Sequence, residues 1–241
     1  MTGAVFIAGT DTGIGKTFVS CALLRALCAA GLRATGMKPV ASGCAMTPDG
    51  LRNDDALALI AASDPKPEYA DCNPFAFAEP VSPHIAAAAT QVTMAPIAAA
   101  FSRLAAHADF VVVEGVGGWL APLSDSLLAD AIPQSLRLPV VLVVGLKLGC
   151  LNHAQLTARA IGDDGCELVG WIGNRVDPGM ARPEENVATL RRLLPVPCLG
   201  TLPFAEAPDP SALAPRLRAA IEAIVSARQA ESHGLFVKGL C

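Results

Sequence analysis

The reading of this chain turns on 9-GTDTGIGKTF-18, which follows the apolar run 4-AVFIA-8. A buried strand, a glycine-rich turn and a helix opening at Lys16 bring unpaired backbone N–H groups and the positive end of a helix dipole to one point. That arrangement suits a polyphosphate. The usual phosphate-binding pattern is Gly, four residues, then Gly-Lys-Ser/Thr. Here five residues separate Gly9 from Gly15-Lys16-Thr17. On this reading Lys16 reaches the terminal phosphates and the Thr17 hydroxyl is a ligand for Mg²⁺. The competing reading is an ordinary tight strand-to-helix turn that happens to contain Gly-Lys-Thr.

Working outward, short β-rich runs at 4–8, 34–38, 109–114, 139–145, 168–173 and 197–202 alternate with helical patterns near 16–30, 53–62, 83–89, 95–107, 151–162, 183–194 and 211–230. Several of the runs are continuous Val/Ile/Leu, as parallel strands covered on both faces require. The first helix buries a stripe through Val19, Leu23, Leu24 and Leu27 and stops at Gly31. Alternation of this kind predicts an α/β fold: a doubly wound, mainly parallel sheet with helices on both faces. The chain carries no repeat or low-complexity linker, so one domain over 1–241 is expected, with a terminal helix at 211–230 and a tail at 231–241. The Pro-rich segment 63–83 reads as a surface excursion.

The 241 residues, 52% hydrophobic and 17% charged, can bury a substantial core and exclude disorder. A net charge of -4 gives no reason to expect nucleic acid as a partner. None of the eight cysteines forms a C-x-x-C pair, which argues against zinc. With no basic leader and no apolar run of spanning length, the expectation is a reduced, cytoplasmic protein without membrane segments. The apolar tail 234-GLFVKGLC-241 and the Arg-bearing helix before it leave a membrane- or protein-binding switch as the rival from another class.

In such sheets ligands lie beyond the carboxyl ends of the strands, and the informative residues fall there. Glu114 ends 110-FVVVE-114 and opens the amide-rich turn 114-EGVGG-118. Lys38 follows the second strand. Asp54 and Asp55 open a helix for which Asn53 is a natural N-cap. The loop is similar to that of the P-loop class containing cell-division-site and chromosome-partitioning ATPases. Asp11 stands where their signature lysine aligns, so the inter-subunit lysine contact of that class is missing.

Taken in order, 9-GTDTGIGKT-17, 36-GMKPVASG-43, 50-GLRNDDALAL-59, 78-AEPVSPHIA-86, 114-EGVGGWLAPLSD-125 and 143-VVGLKLGCLNHA-154 resemble the dethiobiotin synthetases, from about residue 5 to residue 205. The resemblance implies an ATP- and Mg²⁺-dependent ligase. It joins 7,8-diaminononanoate and CO2 through a carbamate and a carbamic–phosphoric anhydride, giving dethiobiotin, ADP and phosphate. It also implies the roles. Lys38, Lys16 and Thr12 are catalytic; Thr17, Asp55 and Glu114 hold the metal. Gly13, Ile14, Gly15, Lys16, Thr17 and Phe18 hold the phosphates, with Gly115, Val116 and Gly117 beside them. Asn174, Arg175, Pro203, Phe204 and Ala205 surround the base. Thr12, Lys38, Ser42, Gly117 and Gly118 meet the substrate. Leu151 and Asn152 meet its distant carboxylate from the partner of a homodimer. For Cys150 and His153 interface packing is the expected role. Lys147 either lines the site or forms a structural ion pair. The stretch 174-NRVD-177 also looks like a guanine-selecting Asn-Lys-x-Asp signature, which leaves base selectivity open. Another amide-forming ligase on the same scaffold is the nearer rival.

Overall fold

The computed structural model describes residues 2–88, 90–204 and 210. The predicted helix 211–230, the tail and Ala205 lie outside the described residues. Ten strands are present among those described: β1 Gly3–Gly9, β2 Ala34–Met37, β3 Val40–Ala41, β4 Ala45–Thr47, β5 Gly50–Arg52, β6 Phe75–Ala76, β7 Phe110–Glu114, β8 Val140–Leu146, β9 Leu168–Arg175 and β10 Cys198–Leu202. Eight helices accompany them: α1 Lys16–Ala29, α2 Asp54–Ala62, α3 Tyr69–Cys72, α4 Pro83–Ala86, α5 Met94–His107, α6 Ala131–Leu136, α7 Cys150–Asp163 and α8 Pro183–Leu193.

Six strands form one parallel sheet in the order β10-β9-β8-β1-β7-β2. The period-2 alternation of a strand divides their side chains between two cores. Phe6, Val111, Val113, Leu142 and Val144 pack on one face, with Ile97 and Leu104 of α5, Ile161 of α7 and Leu190 of α8. Val5, Ile7, Val112, Val141 and Val143 pack on the other, with Leu23, Leu24 and Leu27 of α1 and Leu59 of α2. The doubly wound prediction holds, and the stripe on α1 is buried as expected.

The departures are local. The helix expected over 83–89 is a single turn, and Ala88 has a φ of 48°, which an L side chain resists. Strand β9 continues through Asn174 and Arg175. The short elements α3, α6 and the small sheets β3–β6 and β4–β5 leave no periodic signal in two to six residues. Residues 69–77 are not a surface excursion. The Phe75 amide donates to the Pro39 carbonyl, and Cys72, Asn73 and Phe77 are buried against the chain leaving β2. Among the described residues no helix is long and apolar enough to cross a membrane.

Candidate active site

β1 lies at the middle of the sheet, and the loop leaving it is built for close approach. Gly13 and Gly15 have φ of 71° and 81°, in the left-handed region. At Gly15 a Cβ would also stand 2.2 Å from Asn174 Nδ2. That amide donates to the Ile14 carbonyl at 2.9 Å, fastening the loop to the end of β9. α1 starts at Lys16 with Gly15 as its N-cap, and no described side chain caps its first-turn amides. They remain available to an anion.

Lys16 folds back over the strand end. Its Nζ donates to the Asp11 carbonyl at 2.8 Å and to the Gly117 carbonyl at 2.7 Å, tying the loop to the turn after β7. Burial, followed by the nearby charge of Lys38, lowers its pKa to about 8, against the pull of Glu114, Asp55 and Asp11. The ammonium thus rests on neutral carbonyls; a polyanion would supply the countercharge it lacks.

A second buried ammonium comes from the neighbouring strand. Parallel register places Met37 beside Val113, so Lys38 meets Glu114 one position on. Lys38 Nζ donates to Glu114 Oε1 at 2.5 Å and to Asp55 Oδ2 at 3.0 Å. Burial alone would push this lysine down, but the two carboxylates outweigh it and hold its pKa above the ordinary value. Asp55 is likewise penalised by burial, and Lys38 overrides this to hold it below the usual carboxylate range. Asp54, by contrast, is exposed. The Thr17 hydroxyl donates to Glu114 Oε1 at 2.7 Å. Glu114 is 1% exposed, and its Oε2 has no partner among the described residues.

These groups border a cavity of about 830 Å³. Thr12, Gly13 and Gly15 through Phe18 form one side. Lys38, Ser42, Asn53 and Asp55 form another, and Glu114 and Val116 through Gly118 a third. Pro80, Val81, Ser82 and Pro83 close the fourth side. The block 78-AEPVSPHIA-86 carries them, yet no individual role was legible there. Ser42 Oγ is shut off from solvent without a partner among the described residues.

Other expected residues stand elsewhere. Ile14 and Gly115 are buried behind the cavity wall. Arg175 is ion-paired with Glu184, and Pro203 and Phe204 are exposed beyond β10. Leu151 and Asn152 sit in the first turn of α7 and do not border this cavity. Lys147 forms an ion pair with Asp11 at 2.8 Å, the structural alternative. Asn53 caps α2, its Oδ1 accepting from the Ala56 amide at 3.2 Å. Tyr69 and Asn73, which bond to the backbone of Asn53 and Lys38, were not expected at the site. Their only local signal is a polar pair at i, i+4 within the Pro-rich segment.

The family model described as an AAA domain matches residues 3–212. The ATP-dependent dethiobiotin synthetase BioD of Xanthomonas euvesicatoria pv. vesicatoria is 57% identical over 213 residues, 88% of this chain and 95% of that protein. The enzyme of the same name from Xylella fastidiosa (strain 9a5c) is 56% identical over 217 residues, 89% of this chain and 96% of its own. The chain belongs to the ATP-dependent dethiobiotin synthetase family. It is accordingly an ATP-dependent ligase of biotin biosynthesis, and both the switching-ATPase and the general amide-ligase readings fall away. Among solved structures, the septum site-determining protein MinD from Pyrococcus horikoshii OT3 is similar with a TM-score of 0.51 and 17% identity, covering 91% of this chain and 86% of that one. A ParA family ATPase from Chlorobium tepidum TLS gives 0.55 and 11%, covering 86% of each. These two likenesses speak to the fold alone.

Proposed function

We propose that the cavity closes the cyclic urea of dethiobiotin from 7,8-diaminononanoate, CO2 and ATP. The observation that carries this reading is the convergence of two buried ammonium groups, Lys16 and Lys38, on one cavity. Phosphoryl transfer asks for positioning and charge stabilisation. Lys16 and the bare amides of 13–18 grip the β- and γ-phosphates. One substrate amine takes up CO2 as a carbamate, which Lys38 faces. A carbamate oxygen attacks the γ-phosphorus and displaces ADP, and the second amine then attacks the carbamic carbon, closing the ring and expelling phosphate. Thr12, Ser42 and the Gly117–Gly118 amides hold the diamine for that closure. Fixed neighbouring groups can reach effective molarities of roughly 10⁵ M or more. The Ser42 hydroxyl, without a partner among the described residues, supports its part.

Thr17, Asp55 and Glu114 would hold Mg²⁺. Their donors are all hard oxygens, and Glu114 Oε2, without a partner among the described residues, fits that use. When bound, the ion neutralises charge on the phosphate oxygens. Asn174 and Arg175, with Pro203 and Phe204, would meet the base. Leu151 and Asn152 would receive the distant carboxylate across a homodimer interface; the α7 N-terminus, opening at Gly149 with φ of 96°, suits an anion.

The test is mass spectrometry of the product formed from diamine, labelled bicarbonate and each nucleoside triphosphate. Labelled dethiobiotin with one phosphate per turnover, lost on chelation of Mg²⁺, is expected. ATP hydrolysis that proceeds equally without diamine and bicarbonate would overturn the reading.

A further inference from the structure

Lys38 and Glu114 are set beside each other by adjacent strands, but Asp55 rides on α2, outside the sheet. Something must hold that helix start against Lys38. The described residues supply a continuous chain of hydrogen bonds for it. The Asn53 amide donates to the Tyr69 hydroxyl at 2.8 Å. Having accepted there, the hydroxyl donates to Asn73 Oδ1 at 2.9 Å. Asn73 Nδ2 donates to the Lys38 carbonyl at 2.7 Å and the Phe75 carbonyl at 3.1 Å. Two carbonyls demand the amide nitrogen on that side, so the orientation of Asn73 is fixed by its neighbours. The Lys38 amide closes the circuit by donating to the Cys72 carbonyl at 2.7 Å. The Arg52 guanidinium lies 4.2 Å over the Tyr69 ring and holds it in plane. Asn73 is 3% exposed, so its polar atoms are committed to this duty.

We propose that Tyr69 and Asn73 are positioning residues for the ligase reaction. Through the backbones of Asn53 and Lys38 they lock the acidic turn of α2 against the Lys38 ammonium. Neither touches the cavity; they act on the reaction by fixing the spacing of Lys38 and Asp55. Reacting constellations lose rate when supporting groups allow even an ångström of drift. The inference rests on the assignment of Lys38 and Asp55 given above.

The decisive variant is Tyr69→Phe, which keeps the ring and its contact with Arg52 and removes only the hydroxyl. Dethiobiotin formation is measured beside Lys38→Gln, together with KM for ATP and the melting curve of each protein. Expected for Tyr69→Phe is a kcat about tenfold lower with KM for ATP within about twofold of the parent, and near inactivity for Lys38→Gln. A parental kcat for Tyr69→Phe beside an inactive Lys38→Gln overturns the inference alone, whatever happens to the melting temperature. A parallel rise in KM for ATP also overturns it, because the damage would then be a general distortion of the phosphate loop. Full turnover by Lys38→Gln sinks the site assignment and this inference with it.

Discussion

Strands β2 and β7 carry an ion pair at each end, and the two pairs differ in almost everything except charge. At the amino ends Arg33 meets Asp109 at 2.7 Å, with side chains 63% and 38% exposed. Five residues along each strand, about 17 Å away, Lys38 meets Glu114 with side chains 5% and 0% exposed. The exposed pair shares water with its surroundings, and it contributes little. Desolvating the inner pair costs more than its attraction is certain to return, and an apolar pair of the same volume would serve stability as well or better. A buried lysine kept charged by two carboxylates, beside an acid oxygen without a partner among the described residues, is placed for chemistry. At the amino ends of β8 and β9, on the same side of the sheet, a cavity of about 370 Å³ is bordered by Arg137 and Asp164 and by neither buried lysine.

The comparison predicts unequal consequences. Lys38→Gln should cost the most, about 10²–10³-fold in turnover, while an ATP analogue still binds in a calorimeter. Comparable turnover by parent and variant would erase the distinction between the two ends.

Asp11 gives a sharper and smaller test. The Lys147 ammonium, then the Thr12 amide, hold its carboxyl below the ordinary 3.8. A depressed acid contributes stability that is present above 3.8 and fades as pH falls through its folded pKa. Half-exposed, the pair is screened and should contribute no more than about 0.2–1 kcal/mol. Melting curves of parent and Asp11→Asn should therefore differ slightly at neutral pH and converge well below 3.8. A gap that widens in acid would contradict the assignment.

Arg33→Ala should do least, leaving turnover at the parental level and shifting the melting curve within its error. A loss of activity there would mean that the amino end of the strand pair communicates with the cavity.

Much of this was readable in advance because it is local. The strands at 110–114 and 140–146 announce themselves by apolar runs, α1 by its 3.6-residue stripe, and the phosphate loop by glycine spacing. Lys38 and Glu114 could be named from their places at strand ends. Tyr69 and Asn73 could not, since α3 is four residues long and its partners lie 16 and 35 positions away. Similarly, Asp11 and Lys147 are 136 residues apart, and only folding brings them together.

Local pattern was enough to establish the alternation of strand and helix, the two-faced burial of the sheet and the residue types gathered at one of its edges. Period and glycine placement act over a few residues, so they are written in order along the chain. Folding was needed to show that Lys147 spends its charge on Asp11, that residues 69–73 return beneath the cavity, and that Asp55, the aspartate the resemblance picks out, bonds to Lys38. Those outcomes depend on strand order and register, which bring distant backbone groups within hydrogen-bonding reach and leave no pattern in the sequence nearby.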